Sequence, residues 1–114
     1  PALVVDPPAG SKLLTEEVFG PAVSVLAYDD IEAAIAAAND TRFGLAAGIF
    51  TRDVGRALAF IKGVRAGNLH VNWGPGWRAD LMPYGGLKDS GIGKEGPADA
   101  ILEMTEEKTV IFHP

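Results

Sequence analysis

The stretch from Leu81 to Gly96, Leu-Met-Pro-Tyr-Gly-Gly-Leu-Lys-Asp-Ser-Gly-Ile-Gly-Lys-Glu-Gly, concentrates the residue types best suited to touching a ligand. Glycine loses the most backbone entropy on folding and packs nothing itself. A run this rich in it is expected where the backbone needs positive φ or where another group must come very close. The stretch therefore predicts an ordered loop shaped for contact, neither a helix nor a good strand. Gly91-Ile-Gly-Lys-Glu-Gly96 also matches G-x-G-x-x-G, the dinucleotide fingerprint. That pattern carries meaning only between a strand and a helix, with an acid about 20 positions on. Here the turn-like Leu-Lys-Asp-Ser precedes Gly91, and no carboxylate follows the last apolar run, so the match is a decoy.

Other chemistry is excluded by what the chain lacks. There is no cysteine, hence no disulfide, thiolate metal site or cysteine nucleophile. The two histidines, His70 and His113, are too few and too isolated for a histidine metal centre, and no metal site is expected. His70 falls inside a strand, where a satisfied core or interface role suits it better than that of a catalytic base. With 10 basic and 15 acidic residues the net charge is −5, which argues against a nucleic-acid surface. No apolar run approaches the ~20 residues of a membrane span, no signal-peptide pattern is visible, and a cytoplasmic location is expected. The 114 residues, beginning at Pro1, fit one domain or a piece of one, processed, excised or truncated. A compact chain of this size would bury roughly 65% of its unfolded surface.

The elements that must position the loop read as follows. Pro1–Asp6 predicts a short strand closed by the Pro7-Pro8-Ala-Gly turn. Thr15-Glu-Glu predicts at most one helical turn capped by Thr15 and stopped at Gly20-Pro21. Ala22–Tyr28 is apolar on both faces, as in a strand covered on two sides. Asp29 and Glu32 have capping-box spacing, and Ile31, Ala34, Ile35 and Ala38 form one helical stripe. A strand over Leu45–Phe50 follows. Next comes a helix begun by Thr51 or Asp53, with stripe Val54, Ala57, Leu58 and Ile61 and a stop at Gly67. Asn68–Asn72 is the next strand. The order from Ala22 to Asn72 is a βαβαβ core with a parallel sheet, an α/β fold. Ligands gather at the carboxyl ends of such strands, where the glycine-rich loop begins. Pro97 suits the first position of a third helix, with Ala98, Ile101 and Leu102 on one face. Lys108–His113 reads as a closing strand that must pair at the sheet edge or on another subunit.

Two stretches, Glu16-Glu-Val-Phe-Gly-Pro21 and Pro83–Gly96, resemble signatures of the NAD(P)-dependent aldehyde dehydrogenase superfamily. Ala38–Asp53, Ala66–Asn72 and Thr105–Val110 fit between and after them in the family's order. The resemblance covers nearly the whole chain but only the C-terminal part of such an enzyme. It implies a three-layer parallel α/β fold, with residues 1–105 belonging to the catalytic domain and 106–114 forming a closing oligomerisation strand. In the family a thiolate attacks the aldehyde, hydride passes to NAD or NADP, and glutamate-activated water releases the acid. The nucleophile, that glutamate and the Rossmann domain all precede the matching region, so the chain by itself is expected to be inactive.

The resemblance assigns roles to six residues. Glu17 corresponds to the acceptor of the nicotinamide ribose hydroxyls, a task for which an acceptor-only carboxylate is suited. An exposed acid in a first helical turn is the alternative. Phe19 corresponds to the ring packed beside the nicotinamide, or is a core aromatic. Tyr84 lines the substrate tunnel, or packs the domain edge. Glu95 is associated with proton exit, or is an acid at a helix N-terminus. Trp77 and Arg78 lie in the loop that varies with substrate; an Arg78 guanidinium aimed into the tunnel would favour an anionic aldehyde, whereas at the surface it would pair with Asp80. A small aldehyde and a homo-oligomer formed through the closing strand are the implied partners. Two other readings stay open: a non-catalytic assembly or regulatory module of this fold, and an anion binder using the glycine loop as a backbone nest.

Overall fold

The computed structural model describes all residues from Pro1 to Pro114. Its strands assemble in pairs. Strand β1 (Ala2–Val5) runs parallel to β2 (Ala22–Val25), with Ala2 opposite Ala22. Helix α1 (Lys12–Thr15) lies between them in sequence. Helix α2 (Ile31–Asn39) then leads to β3 (Phe43–Gly44) and β4 (Ala46–Ile49). Helix α3 (Val54–Gly63) crosses back to β5 (Asn68–Val71), which pairs parallel to β4 with Ala46 opposite Asn68. Within the glycine-rich stretch, β6 (Leu87–Lys88) pairs antiparallel to β3, and α4 (Pro97–Glu103) follows.

The α/β class and the parallel pairing agree with expectation, but the ladder is distributed differently. No ladder joins β2 to β4, so the anticipated three-stranded unit is two separate parallel pairs. Each pair keeps open edges whose backbone groups are unpaired, an arrangement that is stable only when further strands complete it.

Several local expectations need correction. The first short helix ends at Thr15 instead of starting there, with Ser11 as its N-cap and Glu16 as its C-cap, and the Ser11 carbonyl accepts from both the Leu14 and Thr15 N–H. Asp30, not Asp29, caps α2, its carboxylate accepting from the Ala33 N–H at 2.7 Å. Asp53 caps α3 in the same way, accepting from the Arg56 N–H at 3.0 Å. That helix stops at Gly63, four residues short of Gly67, because Asn39 intercepts its end: the Asn39 amide donates to the Gly63 carbonyl at 2.8 Å and accepts from the Arg65 N–H at 2.7 Å. One asparagine thus closes α3 while itself ending α2.

The buried face of α3 is also not the expected stripe. Phe60 and Val64 are buried, while Val54, Leu58 and Ile61 are exposed. Gly63 explains which face is covered: a Cβ there would come within 2.9 Å of Ile35 Cγ2, so α2 and α3 meet on the Gly63 side. The outward face of α4, with Ile101 and Leu102 exposed, and the segment after it are likewise uncovered. Lys108–His113 joins no ladder, so the pairing anticipated at this chain's own sheet edge does not occur.

These uncovered faces have a measurable sum. The accessible surface is 9011 Å², against roughly 6,000 Å² for a compact 11.9 kDa domain. The chain buries about half of its unfolded surface, short of the roughly 65% expected. The Cα radius of gyration is 18.6 Å, where a compact chain of this length has about 13 Å.

The tightest packing lies where the glycine-rich loop meets β5. A Cβ on Gly67 would fall 1.8 Å from the Gly85 carbonyl oxygen, closer than any real contact. Gly67→Ala should therefore destabilise the fold by at least about 2 kcal/mol and lower the urea midpoint, whereas Gly74→Ala, with nothing within 4 Å, should change stability by no more than about 0.5 kcal/mol. Equal midpoints for the two variants would contradict this packing.

Candidate functional site

The loop from Pro83 to Gly96 is held by four fastenings, each made by a residue type suited to it. Tyr84 and Glu95 exchange backbone hydrogen bonds of 2.9 and 2.6 Å, closing the loop at its neck. Lys94 Nζ donates to the Gly85 carbonyl at 3.2 Å. The buried Asn68 donates its amide to both the Leu45 and Gly85 carbonyls, at 3.0 and 3.1 Å, tying β4 to the loop. Ser90 Oγ accepts from the Gly44 N–H at 2.8 Å.

Lys88 is the fifth anchor, and it is strained. Its backbone φ is +55°, unusual for a residue with a Cβ. Its ammonium donates to the Asn39 and Thr41 carbonyls at 3.0 and 2.8 Å. Those carbonyls lie at the C-terminal end of α2, where the partial negative charge of the helix favours a cation. Gly91, Gly93 and Gly96 have φ values of +148°, +70° and +133°, as the glycine content led us to expect. The Gly91–Gly96 fingerprint is entered by the Asp89-Ser90 turn and no strand follows α4, which agrees with its being a decoy.

Two adjoining cavities flank this loop. The larger, about 430 Å³, is lined by Glu17, Thr41, Gly44, Ala46, Arg65 and Ser90 among others. The smaller, about 220 Å³, is lined by Tyr84, Glu95, Lys94, Ile92 and Glu103. Leu45 and Ser90 belong to the walls of both. Glu17 and Tyr84, 67 positions apart in the chain, therefore line cavities that share two wall residues.

Glu17 lies beyond the end of α1, not in a first helical turn, and takes part in none of the four ion pairs. Its carboxylate oxygens have no protein donor, so they are free to accept from hydroxyls of a bound molecule, as a ribose diol offers. Phe19 is 94% exposed in this chain and lines neither cavity. Trp77 is half-exposed and meets the His70 ring edge-on, with centroids 6.3 Å apart. His70 Nε2 is buried and has no hydrogen-bond partner within this chain.

Arg78 departs most from its surface alternative. It does not pair with Asp80; it reaches Glu95, Nη1 to Oε2 at 2.9 Å. Its guanidinium carbon also sits 4.9 Å from the centre of the Tyr84 ring, in cation–π range. Three of the six residues singled out in the sequence thus form one cluster at the loop's neck. The positioning residues Asn39, Asn68, Lys88 and Ser90 escaped the sequence reading. Their signal, polar side chains at helix and strand ends, is visible only once their carbonyl partners are known.

Removing the Lys88 ammonium while keeping its stem tests this arrangement. Lys88→Met should cost about 1.5–3 kcal/mol of stability, because it deletes charge-assisted hydrogen bonds to carbonyls at the end of α2. A urea-unfolding midpoint unchanged from the parent would show that the loop is not fastened there.

Comparison with known proteins adds an independent line. The aldehyde dehydrogenase family model matches residues 1–110. A 3-sulfolactaldehyde dehydrogenase of Priestia aryabhattai is 47% identical over 102 residues, covering 90% of this chain and 21% of that protein. A lactaldehyde dehydrogenase of Methanococcus vannielii is 46% identical over 97 residues, covering 85% of this chain and 21% of that one. Among solved structures, aldehyde dehydrogenase 21 of Physcomitrella patens, in complex with the reaction product succinate, superposes with a TM-score of 0.87 at 39% identity, covering 91% of this chain and 22% of that one. Other similar structures hold NAD+ or NADP. The chain spans about a fifth of the length of the relatives it matches. On the match over residues 1–110 and the fold that goes with it, this chain belongs to the aldehyde dehydrogenase family.

Proposed function

We propose that this chain is the C-terminal segment of an NAD(P)-dependent aldehyde dehydrogenase that oxidises a small anionic aldehyde to its acid. The observation that carries the reading is the juxtaposition at the loop: a carboxylate without protein donors, Glu17, beside one cavity, and the Arg78–Tyr84–Glu95 cluster beside the adjoining one. When bound, the nicotinamide supplies the hydride acceptor. Glu17 accepts from its ribose hydroxyls and fixes the sugar, and the exposed Phe19 ring is available to pack beside it. Tyr84 forms apolar wall on the substrate side. Trp77 narrows the same approach. Glu95, at the loop's neck and largely in solvent, receives a proton on its way out.

Arg78 selects the substrate. A guanidinium offers five donors in a planar fork and takes sulfonate, phosphate or carboxylate oxygens two at a time. Charge-assisted hydrogen bonds contribute about 1.5–3 kcal/mol each, whereas a methylene in a pocket wall discriminates by only ~1–3 kcal/mol. The names of the sulfolactaldehyde dehydrogenase and of the succinate complex are in keeping with an anionic substrate.

The nucleophile and the water-activating base come from outside this chain, which has no cysteine. The surface exceeding a compact domain's by roughly 3,000 Å² is the size of an obligate interface. The rest of the catalytic domain covers the open edges of the strand pairs, and residues 106–114 pair as a closing strand on another subunit. That segment carries the apolar Val110, Ile111 and Phe112, all exposed here.

Two outcomes follow. A pure preparation of these 114 residues should show no aldehyde-dependent reduction of NAD or NADP; turnover above the no-protein control would refute the fragment reading. In the complete enzyme, Arg78→Ala should raise KM for sulfoacetaldehyde at least about 10-fold, the loss of one charged hydrogen bond, and change KM for propanal less than about 2-fold. Equal changes for the two aldehydes would remove Arg78 from the substrate site.

A further inference from the structure

We propose that Glu95 is a built-in occupant of the Arg78 anion site, a carboxylate that holds the guanidinium until an anionic substrate displaces it, and so sets the enzyme's selectivity for charged aldehydes. The inference rests on the substrate reading of Arg78 given above. Four observations carry it.

The contact is one-pronged. Only Nη1 of Arg78 reaches Glu95, and only Oε2 receives it, at 2.9 Å. The remaining guanidinium donors have no protein acceptor, so a sulfonate or carboxylate making a two-pronged contact has the better geometry.

The guanidinium is pre-positioned. The Tyr84 ring lies 4.9 Å beneath it, and Tyr84 and Glu95 are locked together by their reciprocal backbone hydrogen bonds. The ring and the carboxylate therefore present themselves as one platform. Displacement of the carboxylate leaves the stacking in place, so Arg78 stays aimed when the occupant leaves.

The contact is exchangeable. The Arg78 and Glu95 side chains are 48% and 69% exposed, and an exposed ion pair adds little stability. Solvent can take over either partner as the exchange proceeds.

Finally, the nearer sequence partner is not used. Asp80 lies two positions away but takes no part in an ion pair, whereas Glu95 lies 17 positions away across the loop's neck. A merely solubilising charge pair would need no such reach. Tyr84 and Glu95 line the smaller cavity, whereas Arg78 is not among its lining residues and reaches it only through these two.

Glu95 in this scheme is a positioning residue acting through Arg78, and the split between KM and kcat separates this from its part in proton exit. In the complete enzyme, Glu95→Gln should lower KM for sulfoacetaldehyde by up to about 5-fold and leave KM for propanal unchanged. The inhibition constant of ethanesulfonate, which cannot react, should fall by the same factor. Glu95→Asp, too short to span the contact, should behave like Glu95→Gln. A fall in kcat common to both aldehydes with no selective change in KM would assign Glu95 to proton exit alone and overturn the proposal. So would an equal change in both KM values. If Arg78→Ala is anion-selective and Glu95→Gln is not, the built-in occupant fails while the substrate site stands; if Arg78→Ala is itself unselective, both fall together.

Discussion

The close approach of Gly67 to Gly85 is the constraint on which the rest of this structure depends. Two backbones can come this near only where neither residue carries a side chain, and here the carbonyl of one lies where the Cβ of the other would be. Asn68, the next residue, makes use of that proximity. Buried and flanked by two carbonyls, its amide satisfies one from the strand side and one from the loop side. Each carbonyl has a second donor, the Asn68 N–H at 3.1 Å for Leu45 and Lys94 Nζ at 3.2 Å for Gly85, so the asparagine side chain reinforces both sides of the point where the loop docks. Everything at the loop's neck, including the Tyr84–Glu95 closure and the placement of Arg78, inherits its position from that seam.

The same seam explains why so little else is buried. Six of the 114 residues are buried, and they lie at Pro7, along the α3–β5 connection and where the loop docks on β3 and β5. Around this small core the parallel pairs β1–β2 and β4–β5 stand apart with open edges. Parallel strands are ordinarily covered on both faces and continued on both sides. A chain with Val23, Phe50, Leu102 and Phe112 exposed has the surface of one side of an interface. The matching proteins are about five times longer than this chain, and on the reading proposed above their further residues cover that surface.

What the sequence made legible was local. The caps at Asp53 and Pro97, the strands around Leu45–Phe50 and Asn68–Asn72, and the demand for positive φ in the glycine loop all depend on a residue and its near neighbours. What it concealed depended on a distant partner. The stripe Val54, Ala57, Leu58 and Ile61 is a sound amphipathic pattern, yet α2 packs where Gly63 lets Ile35 approach, and Phe60 and Val64 take the core. Periodicity says that a helix has an apolar face; it does not say which neighbour arrives first. The end of α3 is set by Asn39, from another helix, so no reading of α3 alone places it. The site shows the same division. Arg78, Tyr84 and Glu95 were each identifiable by type and motif, but chain proximity suggested Asp80 as the partner of Arg78, and only the closed neck brings Glu95 within 2.9 Å.

That geometry bears on how a weak contact can govern selectivity. An exposed ion pair contributes almost nothing to stability because water screens it and two long side chains must be ordered to make it. The ordering cost is reduced here. The guanidinium rests against the Tyr84 ring, and the backbone bearing the carboxylate is fixed by the ladder it shares with Tyr84. The ordering is supplied by the loop, so little is lost when the carboxylate yields to a ligand of the same charge. A buried, two-pronged pair would hold Arg78 too firmly for a small anion to replace it, and a guanidinium with neither ring nor carboxylate beside it would wander among rotamers. A single contact across the neck lies between these extremes. It holds the cation with one oxygen, and under the exchange proposed above it gives way to an anion that offers two.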